Sequence, residues 1–132
     1  MTNARATYMD ASVATASPAR LLVMLLDRLV LDVQRGLEAQ HNRDLEQVHR
    51  QLTHAQDIVV ELQSSLRPDE FDGGARLAAL YAYLYRRLVE ANVRKDVAAT
   101  DECLGLVTAL ADTWREAALE SAGSLASLSK GA

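Results

Sequence analysis

Apolar residues recur every three or four positions through four stretches of this chain, the spacing of one helix face at ~100° per residue. In the first stretch Leu22, Leu25, Leu26, Leu29, Val33 and Leu37 share a face, with Asp27, Gln34 and Glu38 opposite. Ser17 can cap free N–H groups, and Pro18 at the first helical position loses nothing by lacking one. These signals predict a helix from Pro18 to about Gln40, with Gly36 marking close helix packing and Met24 and Leu31 an outward stripe open to the N-terminal segment. The second stretch runs Leu45, Val48, Leu52, Ala55, Val59, Leu62, Leu66, with Asn42 as candidate cap and Asp44 and Glu46 at the positive end of the dipole. Ile58 flanks this stripe and Val60 points away from it. A stop is expected before Pro68, because a residue preceding proline avoids helical dihedrals. The linker Arg67–Gly74 holds the proline–glycine cluster, with Phe71 placed to plug one end of the core.

The third stretch, from near Ala75 to about Val93, carries more apolar surface than one bundle face uses. Leu77, Leu80, Tyr81, Leu84, Leu88 and Ala91 make a stripe about 100° wide; Tyr85, Ala78, Val89, Ala82 and Val93 extend it to roughly 220°. Such a helix is a core element with a binding shoulder. The fourth stretch begins after a cap at Asp96 and runs to roughly Ser121, with Thr100, Cys103, Leu104, Val107, Leu110, Ala111, Trp114 and Ala118 on its core face.

Four amphipathic helices joined by short links predict an all-α, antiparallel up-down-up-down four-helix bundle. Residues 17–121 form the bundle in this reading, residues 1–16 a flexible, loosely docked N-terminal segment, and residues 122–132 a flexible tail. A chain of 132 residues is one domain, and 49% apolar content with two prolines suits few, long elements.

The net charge of −4 and the lack of a basic run argue against nucleic acid as partner. Arg86, Arg87, Arg94 and Lys95 fit a solvated edge and a helix end. Residues 1–17 lack a continuous apolar core, and no run approaches ~18 uncharged apolar residues, so a soluble, cytoplasmic protein without membrane insertion is expected. Cys103 stands alone, on an apolar face, as a reduced structural cysteine.

Catalytic patterns are weak. Glu46 and His49 have the Glu-x-x-His spacing of di-iron bundles, but a second copy and two further inward glutamates are missing, so no metal is expected. His54 lies opposite the core face, as a phosphoacceptor would, and reads better as a surface histidine. Neither a phosphate-binding loop nor a nucleophile with a nearby base occurs, and no enzyme and no cofactor are expected.

Laid out along these helices, several segments resemble one family. Tyr8, Val13, Thr15-Ala16-Ser17-Pro18 and Leu21-Leu22-Val23-Met24-Leu25 resemble the opening of the flagellin-specific export chaperones, the FliS family. Ala55-Gln56-Asp57-Ile58-Val59, Glu61-Leu62 and Ser65-Leu66 resemble its second helix. Leu80-Tyr81-Ala82-Tyr83-Leu84, Arg87-Leu88 and Glu90-Ala91-Asn92 resemble its third, and Leu104-Gly105-Leu106 with Thr113-Trp114-Arg115-Glu116 its fourth. Two departures stand out: Leu26-Asp27-Arg28 replaces the usual Tyr-Asp-Gly, and Ala19 stands where a glutamate is common.

The resemblance implies a cytoplasmic chaperone that binds the disordered C-terminal segment of flagellin, prevents premature polymerisation and aids delivery to the gate of the flagellar type III export apparatus. An amphipathic client fits the helix-in-groove mode. The groove is assigned to Ile58, Leu62, Leu66, Tyr81, Tyr85, Leu88 and Val89. Leu62, Leu66, Tyr81 and Leu88 fit ordinary core equally well, whereas Tyr85 and Val89 lie beyond the core stripe. Tyr8, Met9 and Val13 are candidates for a lid over the groove, or belong to a loosely attached arm. A monomer or weak dimer is expected. The alternative is a helical-bundle adaptor that acts through homo-oligomerisation and buries the third helix's shoulder between copies.

Overall fold

The computed structural model describes residues 17–70 and 72–131, with side chains through Glu120. Among them are four α-helices, α1 (Pro18–His41), α2 (Leu45–Ser65), α3 (Gly74–Arg94) and α4 (Val97–Gly131), and one 3-10 turn, Pro68–Glu70. They form the antiparallel up-down-up-down bundle the pattern predicts. Helix α1 packs against α2 and α4, and α3 completes the square, with the α3–α4 seam the lightest of the four.

Local chemistry sets the ends. Arg20 N donates to Ser17 Oγ at 3.2 Å, and Pro18 occupies the first turn. Asn42 does not cap α2 as expected. It closes the C-terminus of α1, and Asp44 caps α2, accepting from Gln47 N at 3.2 Å. The reason is Arg43, whose φ of 56° turns the chain immediately before Asp44. Lys95 turns α3 into α4 in the same left-handed conformation, φ 53°, and Ala99 N donates to Asp96 Oδ1 at 3.2 Å. Gly74 is required where it stands, because a Cβ there would lie 2.2 Å from the Pro68 carbonyl oxygen.

Helix α4 continues past the end expected at Ser121 to Gly131. Extending a formed helix costs little per residue, and the last stretch contains no proline to stop it. The lid candidates Tyr8, Met9 and Val13, the N-terminal segment expected to be flexible and Phe71, expected to plug the core, lie outside the described residues.

The core is a continuous aliphatic cluster in which Leu26, Leu29, Val33, Leu52, Val59, Leu84, Leu88 and Val107 have no exposed surface. Each fully buried leucine contributes about 1.5–3 kcal/mol relative to an exposed one. Leu45, placed on the core face by periodicity, is 59% exposed, because it begins α2 below the level at which its neighbours enclose it. Gly36 marks a close approach, as expected: a Cβ there would meet Leu52 Cδ2 at 2.6 Å.

Candidate functional site

Among the described residues a concavity of about 430 Å³ lies at the end of the bundle where α1 and α3 begin and α2 ends. Helix α1 contributes Pro18, Leu21, Leu22 and Leu25, and the end of α2 contributes Leu62, Ser65 and the capping residue Leu66. Leu77 and Tyr81 of α3 and Trp114 of α4 complete the apolar wall, with Arg67 and Glu70 at the mouth. Burial pushes the Tyr81 hydroxyl up to about 12, so Tyr81 presents a neutral ring to the cavity.

Of the seven groove residues assigned from sequence, Leu62, Leu66 and Tyr81 come together on this wall. Leu88 is fully buried and Ile58 is 5% exposed; both belong to the core cluster. Ile58 follows His54 by one turn, on the side of α2 that faces α1, since His54 contacts Asp32 of α1. Tyr85 and Val89 lie elsewhere, on the outer flank of α3. Asn92 Nδ2 donates to His49 Nδ1 of α2 at 3.0 Å, and this contact fixes the flank of α3 that faces α2. Helical spacing carries Tyr85 and Val89 onto that flank and Val93 just beyond it. Tyr85 is 37% exposed, Val93 74%, and Val60 across on α2 46%. The surplus of α3 is thus a surface stripe separate from the cavity.

The sequence pattern missed three contributors. Leu22, Leu25 and Trp114 read as core, and they are half-buried cavity walls. For Leu22 the signal was position, since it lies in the first turns of α1; Trp114 lies in the middle of α4 and periodicity gave no such signal for it. Asp32 was missed altogether. It has no exposed surface, and its signal was its place one turn from Leu29, Gly36 and Arg28 on the flank of an apolar stripe.

The remaining polar chemistry is structural. On the α3–α4 seam the Tyr83 hydroxyl donates to Glu102 at 2.6 Å and Arg87 Nε at 2.7 Å. The Tyr83 hydrogen bond, then the Arg87 guanidinium, hold the Glu102 carboxyl below its usual value of 4.5. The same carboxylate raises Arg87 and Tyr83. Burial, reinforced by Glu102, pushes the Cys103 thiol up to about 12, the opposite of what a nucleophile needs. Glu46 pairs with Arg50 and His49 with Asn92, so the Glu-x-x-His spacing serves two separate surface contacts. No group of three or more metal-ligating side chains occurs among the described residues, and none of their helices is long and apolar enough to cross a membrane.

An all-α bundle with an apolar cavity open at one end defines the class as a helical binding module. The family model of the flagellar protein FliS matches residues 1–121. The flagellar secretion chaperone FliS of Bacillus subtilis (strain 168) is 36% identical over 110 residues, covering 83% of this chain and 82% of its own. The Escherichia coli (strain K12) chaperone of the same name is 32% identical over 112 residues, covering 83% and 82%. A crystal structure of a bacterial flagellar chaperone superposes with a TM-score of 0.71 at 21% identity, over 89% of this chain and 96% of that one, and shows the same fold. This chain belongs to the FliS family of flagellar secretion chaperones, which is a chaperone family and not a catalytic one.

Proposed function

We propose that this chaperone holds the C-terminal segment of flagellin in the cytoplasm, keeps it from polymerising, and presents it to the flagellar export gate. The observation that carries the reading is the open cavity of about 430 Å³ walled by leucines, Tyr81 and Trp114. A leucine-lined opening of this kind accepts apolar side chains from an amphipathic helix. The Tyr85–Val89 stripe supplies a second strip of contact for a segment that leaves the cavity and runs along the bundle. Ordering a disordered client is offset by burying about 1,000–3,000 Å², more than the cavity alone provides. Leu62, Leu66 and Tyr81 contact the client in the cavity, Tyr85 and Val89 outside it, and Ile58 and Leu88 back these walls from the core. Tyr8, Met9 and Val13 cover the opening when no client is present, and the free chaperone is a monomer or weak dimer.

Calorimetric titration with a flagellin C-terminal peptide tests this reading. Leu22→Lys places a charge in the cavity, at a half-buried position where the ammonium can reach water, and should abolish binding while leaving the fold intact by circular dichroism. Tyr85→Ala and Val89→Ala should each weaken binding about tenfold with little change in melting temperature. Unchanged affinity in Leu22→Lys would remove the cavity from the site, and unchanged affinity in the other two would remove the stripe.

A further inference from the structure

Asp32 is a carboxylate with no solvent-exposed surface on the flank of the α1–α2 seam, beneath two partly exposed partners. Its Oδ1 accepts from Arg28 Nε, one turn earlier on α1, at 3.0 Å. Its Oδ2 faces Nδ1 of His54 on α2. A carboxylate oxygen accepts, so the ring nitrogen turned toward it carries the proton. Arg28 and His54 are partly exposed and can return to water, but Asp32 cannot. Buried and stripped of its partners, a carboxylate is strongly destabilising.

The position of this pair along the seam is informative. One turn further from the opening, Gly36 lets α1 and α2 approach until Leu52 fills the space a Cβ would take. Seven residues toward the opening, about 10 Å along the axis, Leu25 already lines the cavity, opposite Leu62 and Ser65. Between the two, Leu26, Leu29 and Val59 are fully buried, so Asp32 stands in the closed part of the seam, about two turns short of the cavity. Aliphatic contacts on either side are non-directional, and they tolerate one helix sliding or tilting against the other. The Asp32–His54 contact does not, because any movement that parts it leaves the carboxylate with Arg28 alone.

We infer that Asp32, held by Arg28 and His54, is a positioning residue: a fulcrum that keeps α1 and α2 together below it and confines their parting to the cavity above. The cavity can then widen at its mouth for an incoming helix without the rest of the seam loosening. Arg35 and Gln51 also lie along this seam, and no hydrogen bond to Asp32 from either is present among the described residues. The link to client affinity rests on the reading given above; the mechanical claim does not.

Native-state hydrogen exchange on the free protein separates a fulcrum from a merely stabilising pair. The variant Asp32→Leu/His54→Leu replaces the polar contact by aliphatic packing, which commonly leaves stability unchanged or raised. Its melting temperature should stay near that of the parent. Exchange at Gly36–Gln40 and Val48–Leu52 should nevertheless accelerate at least about fivefold relative to exchange at Leu25–Leu29 and Val59–Leu62. Asp32→Asn, which keeps shape and removes charge, should shift the ratio in the same direction and stands in if the double variant does not fold. A ratio that stays constant in both variants, or acceleration spread evenly over all four segments, would overturn the inference. Flagellin peptide should bind the variants several-fold more weakly than the parent. Failure of the parent to bind would sink the client reading and leave the exchange ratio to judge the fulcrum.

Discussion

The two ends of this bundle are built from the same four helices and behave as opposites. At the end with the α1–α2 and α3–α4 turns, the residues facing inward are small: Gly36, Ala39, Ala91, Ala99 and Thr100 are all buried. Helices approach closely there, and short polar side chains tie them together. Gln40 Nε2 donates to the Ala91 carbonyl at 3.4 Å, linking α1 to α3 across the diagonal, and Asn92 joins His49 to Lys95. At the other end the inward residues are Leu22, Leu25, Leu66, Leu77 and Trp114, and they surround a cavity without filling it. Side-chain size, more than hydrophobicity, decides which end is sealed. Both ends are apolar, but small residues let two backbones come together, whereas the large ones leave a cavity between them among the described residues.

The strongest way to break this contrast is to cut the same side chain from each end. Leu52→Ala removes a fully buried leucine beside Gly36 and should cost about 2–5 kcal/mol in denaturant unfolding. Leu25→Ala, at the edge of an existing cavity, opens little new void and should cost about 1 kcal/mol. Equal losses would mean that the open end is as tightly packed as the closed one. Gly36→Ala sharpens the same point from the other side. Its Cβ would press on Leu52, and overpacking of a fixed seam should cost about 1–3 kcal/mol despite alanine's better helix propensity. A gain in stability would show that the two helices have room to yield.

The smallest expected effect concerns the light α3–α4 seam. The Glu102 carboxyl titrates below its usual 4.5 in the folded chain, so it binds protons more weakly folded than unfolded. Its stabilisation is full above that value and fades as pH falls through the lower folded one. Glu102→Gln should therefore flatten the acid limb of a melting temperature–pH curve below pH about 4.5 and leave the neutral range nearly unchanged. An acid limb of identical steepness would remove Glu102 from the set of groups that couple folding to protons.

How much of this was written in the pattern of residues follows the same division. Helical periodicity predicted four helices, their order, and most of the buried stripe, because Leu29, Leu52, Leu84 and Val107 sit mid-helix where a neighbour is always present. It also placed Val60 outward and Gly36 at a close contact correctly. It was least informative at helix ends. A leucine in a terminal turn has the same period as one in the middle, so Leu22 and Leu25 read as core, and Leu45, now exposed, did too. Periodicity likewise widened the arc of α3 without saying that its two halves serve different surfaces. Tyr81 turns to the cavity, and Tyr85, four residues on, to the outer flank. Asp32 escaped because its partner lies 22 residues away on another helix, and spacing within one helix carries no record of such a pair.

Cys103 offers a practical consequence. Its sulfur lies in the bundle core with no exposed surface, and its high proton affinity keeps it in the unreactive thiol form near neutrality. As the single cysteine in the chain it is a native clock for complete disassembly. Alkylating reagents should label it only at the rate at which the whole bundle comes apart, untouched by any breathing around the leucine-lined mouth.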